Sequence, residues 1–162
     1  FGLLRGYEVN TPGYEIQHAL QIALSHNKES CGTQLQNKVV WPAASTDGFC
    51  NSRPDLCSGN IPYGALLALP PSTDIAGLGL SEPGERLAEA LQKYGAYAVD
   101  GSKCPTLRGD QYIDGGVLQT LKQDMRKIYP LLRMVLNNSA GQTASGGGTP
   151  LAENWIVSQG VV

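Results

Sequence analysis

Hydrophobic and polar positions alternate strictly along "EIQHALQIALS", the segment that follows Pro12-Gly13. Apolar or semi-polar residues stand at every second position: Ile16, His18, Leu20, Ile22 and Leu24. The residues between them are small or polar. A period of two predicts a β-strand with one buried face, on which His18 points inward. A helix is the alternative, because Ala, Leu and Gln all favour helices. The strict alternation and the preceding Pro-Gly favour the strand.

Two further apolar segments are short and end at prolines. "KVVWPAAS" predicts a strand that Pro42 ends or confines to a sheet edge, since proline cannot donate to a strand ladder. "YGALLALPP" predicts a strand that stops at Pro70. A fourth strand, "AYAVD", ends on Asp100.

Helical spacing of apolar residues occurs twice. From Ser81 to Tyr94, Leu87 and Leu91 lie on one apolar face; Ser81 is a suitable N-cap and Gly95 suits a left-handed C-terminal cap. After Asp114, a second helix is predicted over about 115–127 from apolar residues at Val117, Leu118, Leu121, Met125 and Ile128. The predicted fold is α+β, with a mainly antiparallel sheet or sandwich packed against these two helices.

The end of the chain changes character. Residues 1–137 are expected to form a single β-rich domain, 138–150 have the Gly/Ser-rich composition of a linker, and 151–162 are apolar again. An apolar tail can add as a strand to an open sheet edge, either in its own molecule or in another copy. Strand addition to another copy would make the protein a structural subunit of an extracellular assembly.

Composition narrows the classes of function. Of the 162 residues, 41% are hydrophobic and only 16% are charged, and the net charge is −2. Because no basic patch could follow a phosphate backbone, nucleic-acid binding is not expected. No apolar run reaches the roughly 18 residues of a membrane span. The start at Phe1 suggests a processed, mature form.

The four cysteines favour disulfides over metal binding. They have no CxxC spacing, and neither His18 nor His26 lies near a cysteine pair, so no zinc site, other metal or cofactor is predicted. Four cysteines allow three pairings. We favour a short loop closed by Cys50–Cys57 and a long-range Cys31–Cys104 bond. With the low charge, a disulfide-stapled chain suggests a secreted, extracellular protein.

Three motifs in order resemble a domain of secreted bacterial proteins: "YEIQHALQIAL", "VVWPA" and "LAEALQKYGAYAVDG". The resemblance covers roughly residues 2–137. It implies a secreted, β-rich domain that works near polysaccharide, but no established activity, so no catalytic residues are carried over. Other members have Arg and His after "WPA", where this chain has Ala44 and Ser45.

His18 and Asp100 are the candidate catalytic pair. A carboxylate that orients an imidazole is an arrangement for acid/base chemistry, which would suit a small glycoside hydrolase or lyase. The alternative is a buried hydrogen-bonded pair that only fixes the fold. Other carboxylates could also pair, but Asp110 and Asp114 are interpreted as a turn residue and a helix N-cap.

Four aromatic residues are candidates for stacking on sugar rings: Trp41, Tyr63, Tyr97 and Tyr112. The alternative is that Trp41 and Tyr97 lie in the core, whereas Tyr63 and Tyr112 stand near glycines in loops and are expected to be exposed. The main hypothesis is therefore a secreted domain that binds or acts on a polysaccharide or other glycan.

Overall fold

The structure is a computed structural model that describes residues 2–27, 31–136 and 138–141. The predicted apolar tail and most of the predicted linker lie outside the described residues. The predictions that depend on that segment, including self-association through residues 151–162, therefore stay predictions.

The described chain forms four α-helices, three short 3₁₀ turns and eight strands. The α-helices are α1 Gly6–Asn10, α2 Phe49–Ser52, α3 Glu82–Lys93 and α4 Gly115–Ile128. The strands are β1 Leu20–Asn27, β2 Gly32–Thr33, β3 Leu35–Val39, β4 Ile61–Tyr63, β5 Leu66–Ala68, β6 Ala96–Ser102, β7 Thr106–Leu107 and β8 Arg133–Met134. The 3₁₀ turns span Pro54–Leu56, Ala76–Leu78 and Tyr129–Leu131.

The main sheet has the strand order β2-β1-β6-β5-β8, and β7 pairs with β1 beside β2. Within the described part of the chain, four pairings are antiparallel, whereas β1–β6 and the separate β3–β4 pair are parallel. The α+β class is confirmed. The β1–β6 pairing is also the longest, so the centre of the sheet is parallel although most pairings are not.

Strand β1 lies in the middle of the sheet and is covered on both faces, since Ile22, Ala23 and Leu24 are all buried. It begins at Leu20, four residues later than the alternation predicted. Ile16 is buried in the loop before it, but His18 lies outside the strand and does not join the aliphatic core.

Both predicted helices are present with their predicted caps. The Ser81 hydroxyl accepts a hydrogen bond from Gly84 N, and Gly95 adopts φ +72° just past the end of α3. The Asp114 carboxylate accepts from Gly116 N and Val117 N at the start of α4. Asp110 is a turn residue as expected, because its carboxylate accepts from Tyr112 N.

The two helices approach closely where α3 begins. Asp124 of α4 is buried and accepts a hydrogen bond from the Ser81 hydroxyl at 2.5 Å. Gly84 permits this contact, because a Cβ at residue 84 would lie 2.6 Å from Asp124 Cγ. The capping serine of one helix is thereby fixed to a carboxylate of the other.

Both predicted disulfides are present. The Cα–Cα distances are 5.3 Å for Cys31–Cys104 and 5.4 Å for Cys50–Cys57. Because Cys31 lies in the turn from β1 to β2 and Cys104 follows β6, the first bond holds together the carboxyl ends of the two central strands. None of the helices that the structure describes is long and apolar enough to cross a membrane.

Candidate functional site

His18 bonds to Glu8 and not to Asp100. Its Nε2 lies 2.8 Å from Glu8 Oε1, and its Nδ1 lies 2.9 Å from the Ala19 carbonyl oxygen. Both ring nitrogens therefore lie within hydrogen-bond distance of an oxygen atom. The other oxygen of the buried Glu8 accepts from Arg5 N at 2.8 Å. This cluster fixes helix α1 against the start of β1.

Asp100 lies near the far end of the parallel pair. It is the strand partner of Ala23, whereas His18 lies before β1, whose first residue Leu20 pairs with Ala96 at the start of β6. The predicted His18–Asp100 acid/base pair is therefore wrong as a direct contact: the two residues belong to different ends of the sheet. Sequence spacing could not show this, because it does not give strand register.

A β-bulge precedes Asp100. Ile22 pairs with Ala98 and Ala23 pairs with Asp100, so Val99 is an extra residue on β6. Bulges redirect the side chains that follow them and occur often beside functional sites. The redirected Asp100 accepts a hydrogen bond from Gly101 N at 2.8 Å and forms an ion pair with Arg108.

Three more groups surround this strand end. The ring of His26, near the end of β1, stacks on Phe49 with centroids 4.2 Å apart. Asp47 Oδ1 accepts a hydrogen bond from Phe49 N at 2.9 Å. His26 and Asp47 both border Gly101, because a Cβ at residue 101 would lie 3.2 Å from His26 Nε2 and 3.0 Å from Asp47 Oδ2.

Tyr63 lies beneath this polar group. It is only 1% exposed, and its hydroxyl donates to Cys50 Sγ at 3.4 Å, since the disulfide sulfur carries no hydrogen. Burial raises the pKa of Tyr63, and the nearby Asp47 and Asp100 carboxylates raise it further. The expectation of an exposed Tyr63 that stacks on a sugar is therefore wrong, because its ring belongs to the core.

Trp41 and Tyr97 come together. Trp41 is 37% exposed, and its ring meets the ring of Tyr97 edge to face, with centroids 6.4 Å apart and planes at 84°. Tyr97 is only 7% exposed, so it supports Trp41 from the core and offers little surface of its own. The sequence did not decide whether these two residues lie in the core or at the surface. In the structure Tyr97 lies in the core and Trp41 lies at the surface.

Trp41 forms one wall of a shallow groove of about 160 Å³. Its other walls include Val40, Pro62, Leu136 and Asn138. The Tyr97 hydroxyl donates to Asn138 Oδ1 at 3.4 Å, which brings a polar amide to the edge of an otherwise apolar surface. We call these lining residues the Trp41 groove.

Gly64 allows the backbone around Trp41 to lie close to the sheet. It adopts φ +87°, and a Cβ there would collide with the Val40 carbonyl. Val40 N donates to the Tyr63 carbonyl at 2.8 Å, and Gly64 N donates to the Ala98 carbonyl at 2.7 Å. These bonds connect the loop that carries Trp41 to β4 and β6.

The fourth aromatic candidate is separate from this groove. Tyr112 is 71% exposed, lies in the loop before α4 and does not line the Trp41 groove. Its carbonyl accepts from Asn10 Nδ2 at 2.9 Å, so the loop is anchored to helix α1.

Across residues 2–27, 31–136 and 138–141, no group of three or more His, Cys, Asp and Glu side chains is arranged to hold a metal ion. Comparison with protein-family models, with curated proteins and with solved structures returned no match. The resemblance of the three sequence motifs to a secreted bacterial domain therefore stays a prediction.

Proposed function

We propose that this protein is a secreted domain that binds a polysaccharide by stacking a sugar ring on Trp41. The observation that carries the proposal is the half-exposed indole held edge to face by Tyr97. A tryptophan fixed from below loses little conformational freedom when a ligand covers its other surface, so more of the contact energy remains for binding.

The surroundings of the indole suit a sugar. Pyranose rings present apolar C–H faces with hydroxyl groups around the rim, and the Trp41 groove combines apolar walls with the Asn138 amide. Its volume of about 160 Å³ is below the roughly 300–1,000 Å³ of pockets that enclose a small molecule. A shallow surface suits one segment of a long chain better than an enclosed metabolite.

Two disulfides in a 162-residue chain support the secreted part of the proposal. Disulfides persist in oxidising compartments and are rare where thiols are kept reduced. A hydrolase or lyase that uses His18 with Asp100 is not proposed, because the structure does not bring these two groups together.

The test is a panel of immobilised polysaccharides, followed by a titration on the best binder. Wild-type protein should bind at least one member of the panel, and Trp41→Ala should weaken that binding by about thirtyfold, the effect of removing a central aromatic contact. Trp41→Phe should retain part of the affinity because it keeps an aromatic ring. No binding to any polysaccharide, or unchanged affinity in Trp41→Ala, would reject the proposal.

A second candidate is an assembly subunit that pairs its tail with a neighbouring copy. The observation that favours it is the position of β8, which forms the last strand of the main sheet and precedes the apolar segment 151–162 along the chain. Strand addition at a sheet edge supplies backbone hydrogen bonds to an apolar segment such as 151–162.

A further inference from the structure

Two separate segments of the chain line the Trp41 groove, and both are attached to the same stretch of backbone. The loop that carries Trp41 is attached at Tyr63, whose carbonyl accepts a hydrogen bond from Val40 N at 2.8 Å. The segment that follows β8 is attached at Leu66, whose carbonyl accepts from Val135 N at 2.9 Å. Two residues lie between these attachment points and also line the groove: Gly64 and Ala65. The groove is therefore bounded by two segments that are held at different points of its floor.

Both bounding segments present apolar side chains that a ligand can reach. Val40 and Trp41 are 42% and 37% exposed on the first segment, and Leu136 is 57% exposed on the second. Asn138 adds a polar amide, but its Oδ1 accepts a hydrogen bond from the Tyr97 hydroxyl at 3.4 Å. In a groove of about 160 Å³, a sugar ring that stacks on Trp41 also meets the second segment.

The groove offers no charge to an acidic sugar, since no ionisable side chain is among the described residues that line it. Lys38 and Arg133 are the charged residues closest to the lining along the chain, and neither belongs to it. Arg133 Nη1 donates instead to the carbonyls of Pro130 and Leu132, both at 2.9 Å. A sugar carboxylate in the groove would lose hydration without gaining a cation from the lining, which disfavours its binding.

The apolar lining on two sides also restricts how the hydroxyl groups of the sugar are arranged. When every substituent of a pyranose ring is equatorial, both faces of the ring present only C–H groups. An axial hydroxyl points out of one face, so it would lie against either Trp41 or Leu136. A hydroxyl held against an apolar side chain loses hydrogen bonds to water, and this loss weakens binding.

We infer that the Trp41 groove is selective for a neutral glycan whose ring substituents are all equatorial. The inference rests on the proposed function and gives the ligand class of the same site. An enclosed apolar pocket rejects an unwanted hydroxyl by only about a hundredfold. Because the Trp41 groove is shallow and open to water, the preference expected here is smaller, about tenfold.

The experiment measures the dissociation constants of wild-type protein for three hexaoses with the same linkage. Cellohexaose has only equatorial substituents, mannohexaose has one axial hydroxyl on each ring, and the hexaose of glucuronic acid carries a carboxylate on each ring. Cellohexaose should bind about tenfold more tightly than either of the others.

A pair of leucine variants tests whether the second segment causes the preference. Leu136→Asn places an amide that can hydrogen-bond a hydroxyl beside the ring, so it should narrow the preference for cellohexaose over mannohexaose to about threefold. Leu118→Asn is the matched control, because Leu118 is a 38% exposed leucine on α4 that does not line the groove. Leu136 is more exposed than Leu118, so Leu136→Asn is expected to fold.

The outcomes separate this inference from the proposed function. Equal affinity for cellohexaose and mannohexaose, a preference for the glucuronate hexaose, or binding to other polysaccharides but to none of the hexaoses overturns the selectivity. The stacking function stands in each of these cases if Trp41→Ala weakens the binding that is observed. Equal narrowing by Leu136→Asn and Leu118→Asn also overturns the inference, and a wild-type protein that binds no glycan overturns both.

Discussion

Replacing Gly84 by alanine should destabilise the protein, although alanine is the better helix former. Gly84 lies in the first turn of α3, where intrinsic propensity alone favours alanine by up to about 1 kcal/mol. The contact with α4 opposes this gain, because a Cβ at residue 84 would lie 2.6 Å from Cγ of the buried Asp124.

The size of the loss in stability follows from the hydrogen bonds that Asp124 would lose. To make room, its carboxylate has to move away from the Ser81 hydroxyl and Ser81 N, both of which donate to it. Hydrogen bonds to a charged group contribute about 1.5–3 kcal/mol, and overpacking a fitted contact costs about 1–3 kcal/mol. After the propensity gain, we expect a net loss of about 1–3 kcal/mol in the free energy of unfolding.

Urea unfolding followed by circular dichroism measures this loss, and Gly115→Ala is the matched control. Gly115 begins α4, and a Cβ there would have no neighbour within 4 Å, so that variant should be neutral or slightly stabilising. In an Asp124→Ala background, the cost of Gly84→Ala should fall by about 1 kcal/mol or more, since the displaced group is absent. Equal stabilisation by Gly84→Ala and Gly115→Ala would refute the account of the α3–α4 contact.

The remaining predictions concern the disulfides, an exposed ion pair and the tail. Replacing both cysteines of Cys31–Cys104 by alanine should lower the free energy of unfolding by about 4 kcal/mol, because this bond joins residues 73 apart in sequence. The same change at Cys50–Cys57, with a separation of 7, should cost about 2 kcal/mol. Thermal or urea unfolding measures both losses, and the reverse order would contradict this prediction. Hydrogen bonds from Arg86 and from Gly13 N lower the pKa of Glu82 below its usual 4.5. These contacts therefore add a small amount of stability that is present above pH 4.5 and is lost as the pH falls through the lowered pKa. Glu82→Gln should therefore show a smaller loss of stability between pH 5 and about pH 3 than wild type does; identical profiles would disprove this assignment. Deleting residues 142–162 should abolish oligomers if the tail pairs with a neighbour, and an unchanged mass in light scattering would reject the assembly candidate.

Local signals predicted the helices well. Ser81, Gly95 and Asp114 act through hydrogen bonds or backbone geometry within three residues of themselves, so their types and positions are sufficient to place helix ends. The short loop between Cys50 and Cys57 is equally local. These features followed from the sequence because no distant partner decides them.

Contacts between different segments of the chain could not be predicted from the sequence. Glu8 is the partner of His18 because helix α1 folds back onto the start of β1. The bulge at Val99, which sets where Asp100 points, depends on the register between two strands more than 70 residues apart. The group formed by His26, Asp47 and Gly101 had no sequence signal, because its members belong to three segments that only the fold brings together.

The parallel pairing at the centre of the sheet also could not be predicted from the alternation of hydrophobic and polar residues. A strand buried on both faces, as β1 is, has the same apolar pattern whichever direction its neighbour runs. The pattern therefore predicted the strands but not that β1 and β6 run side by side in the same direction.

The central claim is that a sugar ring stacks on Trp41. Its most direct test is to measure the dissociation constants of the Trp41→Ala and Tyr112→Ala variants for one glycan, the tightest binder in the panel. Both changes remove an exposed aromatic ring, but only Trp41 is supported by Tyr97 and lines the groove. The account predicts that Trp41→Ala raises the dissociation constant about thirtyfold and that Tyr112→Ala leaves it within about twofold of wild type. Equal effects of the two variants, or a larger effect of Tyr112→Ala, would contradict it.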